Sequence, residues 1–66
     1  MSQQQRIILD TIAEIHRSTY APARTVAIAQ RCYFSERTAR YQLVALERAG
    51  LVRRVGARCG WLPVAA

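Results

Sequence analysis

Residues 24–54 read Arg-Thr-Val-Ala-Ile-Ala-Gln-Arg-Cys-Tyr-Phe-Ser-Glu-Arg-Thr-Ala-Arg-Tyr-Gln-Leu-Val-Ala-Leu-Glu-Arg-Ala-Gly-Leu-Val-Arg-Arg, and this stretch decides the fold. It predicts two helices, a tight turn and the start of a strand. The first helix begins at Arg24 or Thr25 and runs to about Arg31, with Val26, Ile28 and Ala29 facing the core. Ala29 is small enough to let the next helix approach closely. Cys32, Tyr33 and Phe34 make the turn, with Phe34 as a core plug. Tyr33 stands where such turns often carry Gly, because the backbone there tends towards positive φ. Tyr disfavours that conformation, so the turn either takes another shape or stores strain. Ser35 then caps a helix that runs to about Ala49, and Gly50 supplies its stop. Ala39, Leu43 and Leu46, spaced by four and three, form its buried stripe. Arg37, Arg40, Tyr41, Val44 and Arg48 lie on the opposite side.

Working outward, residues 2–18 read as an amphipathic helix capped by Ser2. Ile8, Ile12 and Ile15 fall at helical spacing, with Leu9 beside them. Arg6 and Asp10 can pair at i, i+4, in the less favourable orientation. His16 lies near the helix end, where a partial positive charge suits the dipole, and reads as a helix-end residue rather than a ligand. Thr19–Arg24 is a connection, and Pro22 steers Ala21 out of helical geometry. Downstream, Leu51–Val55 and Gly60 or Trp61 to Val64 predict a hairpin, with Gly56 and Gly60 at the two ends of its bend. Pro63 cannot donate to a ladder, which predicts that the second strand is an edge. Trp61 and Leu62 point to opposite faces, and one of them should close over the helices.

The 66 residues make one domain, 1–66, near the lower limit of what folds without staples. No run approaches the ~18 apolar residues of a membrane span. The N-terminus has no basic region leading into an apolar core, so no signal peptide is expected and a cytoplasmic location is. All ten basic residues are Arg; against four acids they give a net charge of +6. That charge on so small a domain implies a polyanion as partner. Cys32 and Cys59 are isolated and only one His is present, so zinc-ligand spacing is absent and no metal or other cofactor is expected. Cys32 reads as a small apolar core residue. The acids Asp10, Glu14, Glu36 and Glu47 are scattered, no nucleophile meets a base, and the chain is not read as an enzyme.

A short helix, a turn and a second helix opening on Ser35 with Arg and Thr behind it is how a helix-turn-helix presents itself to DNA. The order of three helices and a two-stranded hairpin resembles the winged-helix superfamily. Phe34-Ser35-x-x-Thr38, then Leu43-x-x-Leu46-x-x-Ala49-Gly50-Leu51-Val52 and basic residues, is similar to the recognition-helix-to-wing passage of many bacterial repressors, including LexA-type DNA-binding domains. Ile28-Ala29 matches an Ile-Ala pair there, and Arg58-Cys59-Gly60 loosely resembles an Arg-Gly wing. The resemblance covers essentially the whole chain. It implies a mainly α (α+β) fold and a small bacterial or phage transcription regulator. The recognition helix 35–49 would enter the major groove, and the wing 51–64 would lie on the flanking backbone or minor groove.

Each candidate contact has a bland alternative. Ser35 can donate to a phosphate or only cap its helix. Arg37 is the first choice for a bidentate contact to guanine, against a phosphate contact or a solvated charge. Thr38 suits a phosphate or a thymine methyl, or its own backbone. Arg40 should reach a base or phosphate, and Tyr41 a phosphate through its hydroxyl. Glu36 suits the helix dipole and reads as structural, with acceptance from cytosine as the lesser option. Val44 fits a methyl contact, a dimer seam or a chance exposed position. Arg53, Arg54 and Arg58 belong to the wing, and Arg58 at its tip suits a narrow minor groove. The alternative is a charged, solvated edge. Arg24 is a candidate backbone clamp.

The partner expected is therefore double-stranded DNA, with a homodimer or partner regulator left open and no membrane or small-molecule ligand. The competing reading is a winged helix that docks on a partner protein. RNA is less favoured, because no aromatic-rich sheet face is available for stacking bases.

Overall fold

The computed structural model describes residues 2–56 and 60–64. Element α1 spans Gln3–Thr19, β1 Ala23–Arg24, α2 Thr25–Cys32, α3 Glu36–Arg48, β2 Val52–Val55 and β3 Gly60–Pro63. Three helices and a small antiparallel sheet give the mainly helical α+β class expected, in an arrangement compatible with a winged helix.

Ser2 caps α1 through a reciprocal pair of bonds. Its Oγ accepts the Gln5 backbone N–H, and Gln5 Oε1 accepts the Ser2 N–H, both at 3.2 Å. Ile8, Ile12 and Ile15 are buried, as their spacing predicts, and Leu9 packs at the margin. The Arg6–Asp10 pair does not form. The ion pairs among the described residues are Glu14–Arg31, Glu36–Arg40 and Glu47–Arg54, and the within-helix one has the acid first, the order that side-chain lean favours.

In α2 the buried residues are Thr25, Ile28, Ala29 and Cys32, a stripe at i, i+3, i+4 and i+7. That register turns Val26 about 100° away from the core, and Val26 is 48% exposed rather than buried as expected. The helix also runs one residue further, so Cys32 is its last residue and not part of the turn. The Cys32 thiol lies 3.3 Å from Thr11 Oγ1. Thr11 gives its own proton to the Ile7 carbonyl at 2.8 Å, which leaves the thiol as donor in that contact.

Of the two shapes open to the turn, the strained one is realised. Tyr33 adopts φ 59° and ψ 33°, and the Phe34 N–H reaches back to the Ala29 carbonyl at 3.0 Å. The helix end thus closes as it would around glycine, with a Tyr side chain 95% exposed. Phe34 packs against the core but stays half-buried, a margin residue rather than a plug. Helix α3 follows the reading closely: Ser35 is its N-cap, Ala39, Leu43 and Leu46 are buried, and Gly50 at φ 79° follows its end.

The sheet corrects one expectation. Its order is β1-β3-β2, so β3 is central, and the 19–24 connection contains an edge strand that local patterning did not reveal. Ala23 pairs with Trp61 and Arg24 with Gly60, while Val52, Arg53, Arg54 and Val55 pair with Pro63, Leu62, Trp61 and Gly60. Pro63 is tolerated in a central strand because β1 reaches no further than Trp61, leaving the proline without a neighbour on that side. Gly60 permits the approach of β1: a Cβ there would sit 2.6 Å from Pro22 Cβ. The bend between β2 and β3, including the Arg58 and Cys59 readings, lies outside the described residues.

Trp61, and not Leu62, closes over the helices. It is 1% exposed, and its indole N–H donates to Thr25 Oγ1 at 3.0 Å. Thr25→Val keeps the shape and removes the acceptor, leaving a buried donor unpaired. It should cost about 1–3 kcal/mol in urea unfolding, with Thr25→Ser retaining most of the stability. Tyr33→Gly should have the opposite sign. Relief of a left-handed residue, about 1–2 kcal/mol, outweighs the added chain entropy of Gly, about 0.5–1 kcal/mol, so its thermal midpoint should rise.

Candidate nucleic-acid interface

Helix α3 separates its residues by angle. The core stripe Ala39, Leu43 and Leu46 takes one side, and successive steps of about 100° turn Arg37, Tyr41, Val44 and Arg48 to the other. Two shallow grooves run over this outer side. One is lined by Arg37, Thr38, Tyr41 and Gln42. The other is lined by Arg37, Arg40, Tyr41, Val44, Ala45 and Arg48. The structure thus brings Arg37, Thr38, Arg40 and Tyr41 onto one continuous surface, as the sequence predicts. It adds Arg48, absent from the candidate contacts although its spacing of eleven from Arg37 places it on the same face. It also adds Gln42, whose Nε2 donates to Gln4 Oε1 on α1 at 3.0 Å, a link that no local pattern reveals.

The N-terminal end of α3 is internally satisfied. Ser35 Oγ accepts the Thr38 backbone N–H at 3.0 Å and donates its own proton to Thr38 Oγ1 at 2.9 Å. The hydroxyl proton left free to point outward is therefore that of Thr38. Arg37 joins none of the ion pairs among the described residues. Arg40 is held by Glu36 at 3.4 Å with both side chains more than half exposed, an i, i+4 pair worth about 0.3–0.5 kcal/mol. A phosphate or base edge can displace so weak a partner. Glu36 thus has two local roles, at the helix N-terminus and as the holder of Arg40.

The two arginines of β2, Arg53 and Arg54, differ because a strand alternates its faces. Arg54 shares the inward face of the sheet with Val52 and Trp61. Its guanidinium lies 5.0 Å from the Trp61 ring centroid and 3.5 Å from Glu47 of α3. Its position ties β2 to α3 over the core tryptophan. Arg53 is paired with Leu62 on the outward face and is exposed. Arg24 is also exposed, preceding α2 without a side-chain capping bond. It lies on β1, the opposite edge of the sheet from Arg53 and Arg54, about 10 Å away across two strand spacings. The candidate contacts thus form one helix face with outlying cations at both sheet edges, and Arg58 lies outside the described residues.

Among the described residues no group of three His, Cys, Asp or Glu side chains could hold a metal ion. No helix among them is long and apolar enough to cross a membrane.

Arg53→Ala should leave the unfolding midpoint within about 0.5 kcal/mol of wild type. Arg54→Ala should lower stability by on the order of 1 kcal/mol, the combined scale of an exposed ion pair and a cation–π contact. Urea unfolding of the two variants side by side checks the assignment.

Comparison with known proteins adds one finding. The model of a family described as FaeA-like protein matches residues 4–63, nearly the whole chain. No curated protein matches significantly.

Proposed function

The chain belongs to the FaeA-like protein family, and from that membership together with the outer face of α3 we propose that it is a small regulator that binds specific double-stranded DNA sequences. The observation that carries this reading is the single basic and aromatic face of Arg37, Thr38, Arg40, Tyr41 and Arg48. It is set on the helix side opposite the core, in a chain of net charge +6. Family membership supports the coarser part, a small regulatory protein, and a winged-helix arrangement is compatible with the fold.

In the proposed complex α3 lies in the major groove. Arg37 is the side chain best placed for bidentate contact with a guanine edge, because no carboxylate competes for it among the described residues. The Thr38 hydroxyl and Tyr41 hydroxyl hold phosphates. Arg40 exchanges Glu36 for DNA. Arg53 meets the flanking backbone, while Arg54 sets the angle between wing and helix. The protein acts by occupying a site, without catalysis, cofactor or small-molecule effector, in the cytoplasm where the nucleoid lies.

A salt titration of the full chain against duplexes selected from a random pool tests the proposal. The logarithm of affinity should fall linearly with the logarithm of salt, at about −0.9 per phosphate neutralised. Arg37→Ala should weaken binding to the selected duplex by ~1–3 kcal/mol and relax preference at one base pair. Salt-insensitive or absent binding by a folded sample would overturn the proposal and favour a protein partner for the same face.

A further inference from the structure

The outer face of α3 is not uniformly basic. Arg37, Tyr41, Val44 and Arg48 follow at i, i+4, i+7 and i+11, one stripe with a cation at each end and apolar surface in the middle. The end positions are about 16 Å apart along the helix, against a major groove about 12 Å wide. Val44 and Ala45 form the apolar floor of the groove that Arg37, Arg40, Tyr41 and Arg48 surround, and both are half-buried there although they lie away from the core.

We propose that this floor, with Val44 at its centre, reads the C5 methyl group of a pyrimidine, which in ordinary DNA is thymine. The inference rests on the DNA-binding reading and adds a specificity determinant to it. Val44 has no polar atom, so it can hydrogen-bond neither a phosphate nor a base edge. On the major-groove edges of the four bases the apolar group is the thymine C5 methyl; cytosine acquires the same group when methylated at C5. The groove is shallow and open, so a methyl group projecting from a base edge can reach Val44 between the flanking arginines. A second copy of the chain is disfavoured as occupant by charge. Two-fold self-pairing sets a patch against itself, and would bring Arg37, Arg40 and Arg48 of one copy against the same three of the other. DNA supplies the opposite charge around the methyl group.

The test uses the full chain and a duplex selected from a random pool. Each thymine is replaced in turn by deoxyuridine, which removes the methyl and leaves every hydrogen-bonding group in place. At one position affinity should fall about fourfold, the scale of one buried methyl group. In Val44→Ala that penalty should shrink towards nothing, while the salt slope stays unchanged because no cation has been lost. Val44 lies outside the core, and far-ultraviolet circular dichroism controls for its folding. Replacing each cytosine by 5-methylcytosine distinguishes the two sources of the group: a gain in affinity there, with no thymine penalty, assigns the floor to methylated cytosine. Specific, salt-dependent binding with no sensitivity to either replacement overturns the inference and leaves DNA binding standing. A thymine penalty that persists unchanged in Val44→Ala overturns it too. Absence of binding to any duplex overturns both readings together.

Discussion

The indole of Trp61 sits where every layer of this small structure meets. Its strand is central in the sheet, with Ala23 opposite it on one side and Arg54 on the other. Its N–H is taken by Thr25 at the start of α2, and its ring joins the cluster of Ile8, Ile12, Ile28, Leu43 and Leu46 from the three helices. A domain of this size buries only about 60% of the surface its unfolded chain exposes. One tryptophan burying about 150–250 Å² is then a large share of what holds it together. The buried N–H adds a directional constraint that apolar packing lacks, because the indole must meet the Thr25 hydroxyl or remain unsatisfied. The sheet cannot slide along the helices without breaking that bond.

The same arrangement leaves α3 free to present its outer side. Leu43 and Leu46 spend the inner side on the core, Gln42 is steadied by Gln4 of α1, and Glu47 is steadied by Arg54 of β2. The helix is thus held from within and from both flanks, and what remains outward is the basic stripe with its apolar centre. Rigid support of this kind is what a recognition surface needs, since each polar contact must be presented without first ordering the element that carries it. The strain at Tyr33 belongs to the same stretch: α2 ends on a left-handed residue just before α3 begins, and the chain places there a side chain that disfavours the conformation.

Much of the fold was legible because it depends on local chemistry. The Ser2 and Ser35 caps, the Ile8–Ile12–Ile15 stripe and the Ala39–Leu43–Leu46 stripe follow from helical period and capping preference. So does the clean division of α3 into two faces, which carried four of the candidate contacts onto one surface. Val26 was misplaced because an eight-residue helix offers two overlapping apolar registers. The choice fell to Thr25, a polar residue buried only because Trp61 arrives to bond it. The strand at Ala23–Arg24 was hidden for a similar reason: two residues have no periodicity, and they become a strand through Gly60 and Trp61 nearly forty positions away.

The amino-acid sequence by itself determined the three helices, the Ser2 and Ser35 caps, the buried stripes of α1 and α3 and the basic outer face of α3. Each of these is set by residues within a few positions of one another and by the 3.6-residue period that relates them. Only the tertiary structure decided that β3 is central and that Arg54 turns inward to Glu47 and Trp61 while Arg53 stays outward. It also decided that Gln42 of α3 bonds Gln4 of α1 and that the Trp61 indole meets the Thr25 hydroxyl. Those features depend on which distant segments arrive beside a side chain, and on which of its bonding groups they occupy. That pairing is a property of the packed chain, because a free guanidinium or hydroxyl is compatible with many partners until folding brings one of them within bonding distance.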